Sequence, residues 1–141
     1  MPLFLFLLLM LSSHSSFALS LQITNVGSNT PYKIISMELE KEHTVGEITI
    51  IALNKLKIPF EGSEFGILSM LGTPTGLDIH EVISDNHMKT YGWCYKVNNH
   101  LAEEMVNELI LYPQDNDKIE WFYGFAEYLN GKWISFCTPF I

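Results

Sequence analysis

The chain has 141 residues, with 8 basic and 16 acidic side chains, no arginine and a net charge of −8. An acidic, arginine-free chain is a poor partner for nucleic acid or an anionic membrane, because phosphate neutralisation supplies most of that affinity and Arg is the usual bidentate reader of phosphate. Cationic or neutral partners stay open, and the length suits one domain with one core.

Leu3 to Leu11 is an unbroken apolar run of Leu, Phe and Met. It is far shorter than the roughly 20 residues a helix needs to span a bilayer. Ser16 and Ala18 are small and flank Phe17. Together these features predict a secretory signal peptide over 1–18, cut after Ala18. A cut after Ser20 satisfies the same small-residue rule. No Lys or Arg precedes the run, which departs from the usual signal pattern. The competing reading is a buried N-terminal strand or helix. No Cys follows the run to carry a lipid, and no second long apolar stretch exists. The expected mature chain is therefore a single domain over 19–141 with no transmembrane segment, secreted or periplasmic.

Leu19 to Asn25 alternates apolar and polar residues, the period of a half-buried strand. Gly27 to Pro31 reads as a turn, and Lys33 to Glu40 as a second strand. The pattern changes at Thr44. Thr44 with Glu47 three residues on is a capping-box pair. Ile48, Ile51, Ala52 and Leu56 follow at helical spacing, and Pro59 stands just beyond the expected helix end. Its β-branched residues make this helix weak on propensity, so packing must hold it. A strand here is the other reading. Glu61–Gly62 is a predicted turn, and Phe65 to Leu71 a short apolar strand. Gly72 to Gly76 is a loop, and 77–90 is predicted as a loop with one helical turn.

Tyr91 to Val97 alternates, with Trp93, Tyr95 and Val97 on one face. Asn98–Asn99 is a turn dipeptide able to adopt positive φ. Leu101 to Leu109 is mixed and reads as a helical turn leading into Ile110 to Tyr112. Pro113 to Asp117 is a second turn. Lys118 to Tyr123 is a strand with Ile119, Trp121 and Tyr123 on one face. Asn130–Gly131 is a hairpin signal, and Trp133 to Cys137 closes the chain. Strand, strand, helix and then further strands define an α+β fold: a mixed sheet with one main helix packed across one face. The β-grasp topology is the natural candidate.

Cys94 and Cys137 are the only cysteines. An even count in an exported chain predicts a disulfide between them; two free buried thiols are the alternative. Cys94 with His80 or His100 is also the only visible nucleophile–base pairing. The second cysteine and the export signal weigh against it. No serine-hydrolase, penicillin-binding or phosphate-loop motif is present, so no catalytic residue is assigned and an enzyme is not expected. His80, Glu81, Asp85 and His87 are metal-ligand types without the spacing of a zinc motif, and read as solvated residues. No metal and no resident cofactor are expected. Glu103, Glu104 and Glu108 read as a solvated acidic face, with docking of a basic partner as the alternative.

Three features together resemble a known family. They are the run Gly92, Trp93, Cys94, Tyr95, Lys96, Val97, Asn98; its spacing to Asp117 and the strand ending at Tyr123; and the helix opening Thr44–Val45 followed by Gly66 and Gly72. The family is the transcobalamin-like C-terminal domain, a β-grasp module. Its members show a Gly-Trp-x-Tyr-x-Val-Asn-Gly run and later a Gly-Asp-x-Ile-x-Trp-x-Tyr strand. Here Asn99 and Asn116 stand where the family has the turn glycines. Asn tolerates the left-handed conformation, so both turns are preserved. The resemblance covers roughly Ile34 to Trp133.

In cobalamin carriers, the resembling domain forms one wall of the ligand site and a large helical barrel forms the other. This chain is too short to hold that barrel. The resemblance therefore implies a non-catalytic binding module, with cobalamin or another corrinoid-like small molecule as the specific ligand, or else a secreted or envelope domain that binds a protein partner. It carries over no contact residue by residue. The candidate site rests instead on the crowd of aromatics in the last strands. Tyr91, Trp93, Phe122, Tyr123 and Trp133 are the candidate ligand-binding residues, as a platform for a ring-shaped ligand. The competing reading places all of them in core or cross-strand pairs.

Overall fold

The computed structural model describes residues 18–141. Apart from Ala18, the expected signal peptide lies outside the described residues. Three strands and a helix come first among the described residues: β1 (Leu19–Thr24), β2 (Pro31–Met37), β3 (His43–Thr44) and α1 (Val45–Leu56). A small hairpin, β4 (Phe60–Ser63) and β5 (Gly66–Met70), follows, then a 3-10 turn over Gly76–Ile79. The rest is β6 (His80–Ser84), β7 (His87–Val97), β8 (His100–Leu101), β9 (Ile110–Leu111), β10 (Lys118–Leu129) and β11 (Lys132–Pro139).

The main sheet runs β2-β1-β10-β7-β6. β1 and β10 are parallel and its other pairings are antiparallel. A parallel pair needs a crossover connection, and α1 lies within it. β1 covers β10 from Lys118 to Trp121, and β11 pairs with β10 from Gly124 to Leu129, so the two stand end to end against β10. β3 with β9 and β4 with β5 form two small separate ladders.

The helix forms for the local reasons its sequence announces. The Thr44 side chain accepts from the Glu47 amide at 3.1 Å, and the Glu47 carboxylate accepts from the Thr44 amide at 3.3 Å. Lys57 turns left-handed, with φ 55°, and ends it. Packing supplies what propensity lacks: Val45, Ile48, Ala52 and Leu53 are fully buried. They meet Leu21, Ile23, Ile119 and Trp121 of β1 and β10 in one core cluster. Trp121 Nε1 donates to Thr49 Oγ1 at 3.0 Å, and Thr49 donates to the Val45 carbonyl at 2.7 Å. The one polar atom of the largest core side chain is thereby satisfied.

The Asn98–Asn99 and Asn130–Gly131 turns both take positive φ, as their residue types require. Two expectations need correcting. Residues 77–90 are mostly a hairpin: after the 3-10 turn, β6 pairs with β7 at the sheet edge. Its strands do not alternate cleanly because β6 is exposed throughout. Glu61–Gly62 lies within β4, and the reversal falls between Ser63 and Gly66. Residues 101–109 behave as expected: after β8, one helical turn in which the Glu108 and Leu109 amides donate to Met105 O at 2.9 and 3.3 Å leads into β9. The helical spacing there is a few residues long, too short to propagate.

Candidate functional site

Strand alternation sorts the aromatics onto two faces. On the face that carries α1, cross-strand partners between β7 and β10 are Val97 with Ile119, Tyr95 with Trp121, Trp93 with Tyr123 and Tyr91 with Phe125. The rings touch in sequence: Tyr95–Trp121 at 5.3 Å between centroids, Trp93–Tyr123 at 5.5 Å, Tyr91–Tyr123 at 6.0 Å and Tyr91–Phe125 at 5.7 Å. Phe140 stands edge-on to both Tyr91 and Tyr123. These offset and edge-to-face contacts are the favoured aromatic geometries.

This ladder begins sealed and ends half-open. Trp121 and Tyr95 are buried under the core, while Trp93, Tyr91 and Phe125 are half-buried. The loop after β5 reaches Trp93, whose Nε1 donates to Thr73 Oγ1 at 2.9 Å. Beyond it the rim is polar. Tyr91 OH donates to the Glu81 carboxylate on β6. Lys89 Nζ sits 4.6 Å from the Phe125 ring centroid, and His87 Nε2 meets Glu127 at 2.6 Å.

Phe122 points to the other face, opposite Cys94, with Lys96 Nζ 5.0 Å from its ring centroid. Trp133 is on β11, exposed, against Tyr128 and Phe136. The structure therefore brings Tyr91, Trp93 and Tyr123 together and does not add Phe122 or Trp133 to them. Phe125 and Phe140 complete the ladder. Phe125 follows from the same alternation that places Tyr123. Phe140 had no local signal, since it reaches the ladder only because the end of β11 runs beside β10, its amide donating to the Tyr123 carbonyl at 3.0 Å.

Cys94 and Cys137 form a disulfide with Cα atoms 5.9 Å apart. They sit on β7 and β11, which flank β10. Strands separated by a third normally stand roughly 9.5 Å apart, twice the strand spacing, so β11 rises out of the sheet toward β7. Irregular register between β10 and β11, and a φ of 50° at Cys137, mark the bend. Gly124 permits it: a Cβ there would lie 2.7 Å from the Thr138 carbonyl oxygen. With its sulfur bonded, Cys94 has no thiolate to offer as a nucleophile.

The other candidate ligands scatter. His80 bonds Thr90 at 2.9 Å while Glu81 is taken by Tyr91. Among the described residues no group of three or more His, Cys, Asp or Glu side chains is placed to hold a metal. A depression of about 530 Å³ lies beside α1, lined by Glu42, His43, Glu47 and Glu64 among others. His43 hydrogen-bonds Glu47 at 2.9 Å, and that bond, followed by the Thr44 amide, holds the Glu47 carboxyl below its ordinary range.

Two tyrosines of this region titrate late. Tyr91 is pushed up to about 12, first by its hydrogen bond to Glu81 and then by burial. Tyr95 is pushed up to about 12 by burial, with Glu104 and Glu108 adding to it. The folded chain keeps protons that an unfolded tyrosine releases near pH 10. Stability from this source is complete below pH 10 and is lost as the pH rises toward 12. Phenolate absorbance of the intact protein should show at least two of the six tyrosines ionising near pH 12, against all six near 10 in denaturant. Uniform ionisation near 10 in the native protein contradicts this placement of Tyr91 and Tyr95.

Comparison with known families places this region. Residues 78–124 match the model of a domain of unknown function, DUF4430, a transcobalamin-like domain family. The match spans β6, β7 and most of the aromatic strand of β10, and ends at Gly124. Trp133, Cys137 and Phe140 lie beyond it. No curated protein and no solved structure matches the chain. Among the described residues no helix is long and apolar enough to cross a membrane. The disulfide favours an extracellular location, since such bonds persist in oxidising compartments.

Proposed function

We propose that this chain is an exported, non-catalytic β-grasp module that binds a flat, ring-shaped small molecule of the corrinoid class on the open end of its aromatic ladder. The observation that carries the reading is the ladder of Tyr91, Trp93 and Tyr123, in which buried Tyr123 meets half-buried Tyr91 and Trp93 and continues a sealed core out to a polar rim. Such a surface offers ring faces for apolar contact and a few placed polar groups for orientation. The fold reading rests on the sheet order: an N-terminal hairpin whose first strand pairs in parallel with a late strand, and a helix in the crossover. The described residues supply one wall of such a site.

The test is thermal denaturation of the purified protein with cobalamin and its fragments. A ligand at 100 times its Kd stabilises by about 2.7 kcal/mol, so saturating corrinoid should raise Tm clearly. An unchanged Tm rejects the corrinoid. A protein partner is the second reading, and β6 favours it: an edge strand exposed along its whole length, with Val82 73% exposed and Leu77 just before it 86% exposed. Unpaired edges of this kind accept an added strand.

Export makes its own prediction. Leu19 is buried and pairs with Met37. A cut after Ala18 leaves β1 whole, whereas a cut after Ser20 deletes its first core residue. N-terminal sequencing of secreted protein should read Leu19 first. A start at Leu21, or retention of 1–18, rejects the proposed site.

A further inference from the structure

A second cleft opens beside β10 between the β1–β2 turn and the end of β11, and it borders the ladder at Tyr123 and Phe140. It measures about 340 Å³, near the lower end of small-ligand pockets. Phe122, 5% exposed, belongs to its floor. Ser28 and Asn29 of the β1–β2 turn form one rim, and Phe140 and its neighbours at the end of β11 form the other. The second rim lies outside the matched family segment and is tethered by the Cys94–Cys137 bond.

The charges in this cleft are unevenly used. Glu120 and Lys96 are direct cross-strand partners and both line it. Yet the Glu120 carboxylate meets Lys118, at 3.9 Å. Lys96 has no carboxylate within 4.0 Å among the described residues. Its ammonium lies against the Phe122 ring instead. In a chain of net charge −8, this leaves a cation without an ion-pair partner beside an aromatic floor, with the hydroxyl of Ser28 and the amide of Asn29 on the rim.

We infer that this cleft is a second binding site, for a small monoanion with a planar apolar body, of the aromatic carboxylate class. The carboxylate pairs with Lys96 and takes hydrogen bonds from the Ser28–Asn29 rim. The ring lies between Phe122 and Phe140. A cationic ligand meets repulsion from Lys96, and a neutral one leaves that charge unpaired. The site borders the ladder at Tyr123 and Phe140 but does not require a corrinoid to bind there.

The experiment is isothermal titration of the purified full chain with 3-phenylpropionate, its neutral amide and phenethylammonium. The expected result is saturable binding of the carboxylate, with the amide and the ammonium each at least about tenfold weaker. Lys96→Met should weaken the carboxylate about tenfold and leave the amide unchanged. Phe122→Leu should weaken all three. An unchanged circular-dichroism spectrum checks that the Lys96 variant is folded, and Lys96→Arg, which keeps the charge, should retain carboxylate binding. No saturable binding of the carboxylate, equal binding of the three probes, or full carboxylate affinity in Lys96→Met overturns the site.

Discussion

Loss of the Cys94–Cys137 bond should lower stability by about 4 kcal/mol, the chain-entropy value for a loop of this size. The two residues are 43 apart in sequence, so the bond removes a large share of the unfolded chain's freedom. The folded state depends on it as well. β11 leaves the sheet plane to reach β7, with irregular register and a left-handed Cys137. Without the tether, little but the β10 ladder holds that bend. The C-terminal rim over Phe122 and the Phe140 contact with Tyr91 and Tyr123 depend on the same segment. Thermal denaturation of a Cys94→Ala/Cys137→Ala double variant, or of the protein under strong reductant, should show Tm falling by on the order of 10–20 °C. A Tm within a few degrees of the oxidised protein means the bond constrains nothing that matters.

Gly46→Ala should cost about 3 kcal/mol or more, although the same change in an exposed helix gains roughly 1 kcal/mol from propensity. Gly46 is buried in the first turn of α1. A Cβ there would stand 1.8 Å from the Glu64 carbonyl oxygen and 2.7 Å from its carbon. Those are backbone atoms of the β4–β5 turn, which cannot rotate aside as a side chain does. On its other side the first turn is fixed too. The Val45 amide donates to Leu109 O at 2.9 Å and the Gly46 amide to Val106 O at 2.8 Å. The helix start is thus wedged between two backbone segments, and a methyl group must push one of them. Gly66→Ala is the matched control. No atom lies within 4 Å of its added Cβ, so its Tm should stay within the small range of surface substitutions. Chemical denaturation of the two variants decides the matter. A stable Gly46→Ala protein contradicts the close approach.

Both predictions concern features with unequal legibility in the sequence. Thr44 and Glu47 announce the helix start because a capping box is a contact between near neighbours. Asn98–Asn99 and Asn130–Gly131 announce their turns because positive φ is a property of the residue itself. The alternation of Trp121 and Tyr123 against Phe122 is a backbone rule, so it divides the aromatics into faces before any contact is known. The cysteine pair was nameable because only two cysteines exist.

The remainder was decided by the tertiary structure, because it depends on which distant segments meet. Nothing near Gly46 in sequence says that the Glu64 carbonyl will press on it. Phe140 joins the ladder only because β11 bends beside β10, and that bend needs Gly124 and a cysteine more than 40 residues away on another strand. The candidate residues Tyr91, Trp93, Phe122, Tyr123 and Trp133 are grouped in the sequence only because they crowd the last strands, and alternation sets Phe122 on the face opposite Tyr123. The pairing of β7 with β10 brings Tyr91, Trp93 and Tyr123 together, and the course of β11 leaves Trp133 exposed against Tyr128 and Phe136. Alternation tells which side of its own strand a side chain takes; only strand order and strand ends tell what covers that side.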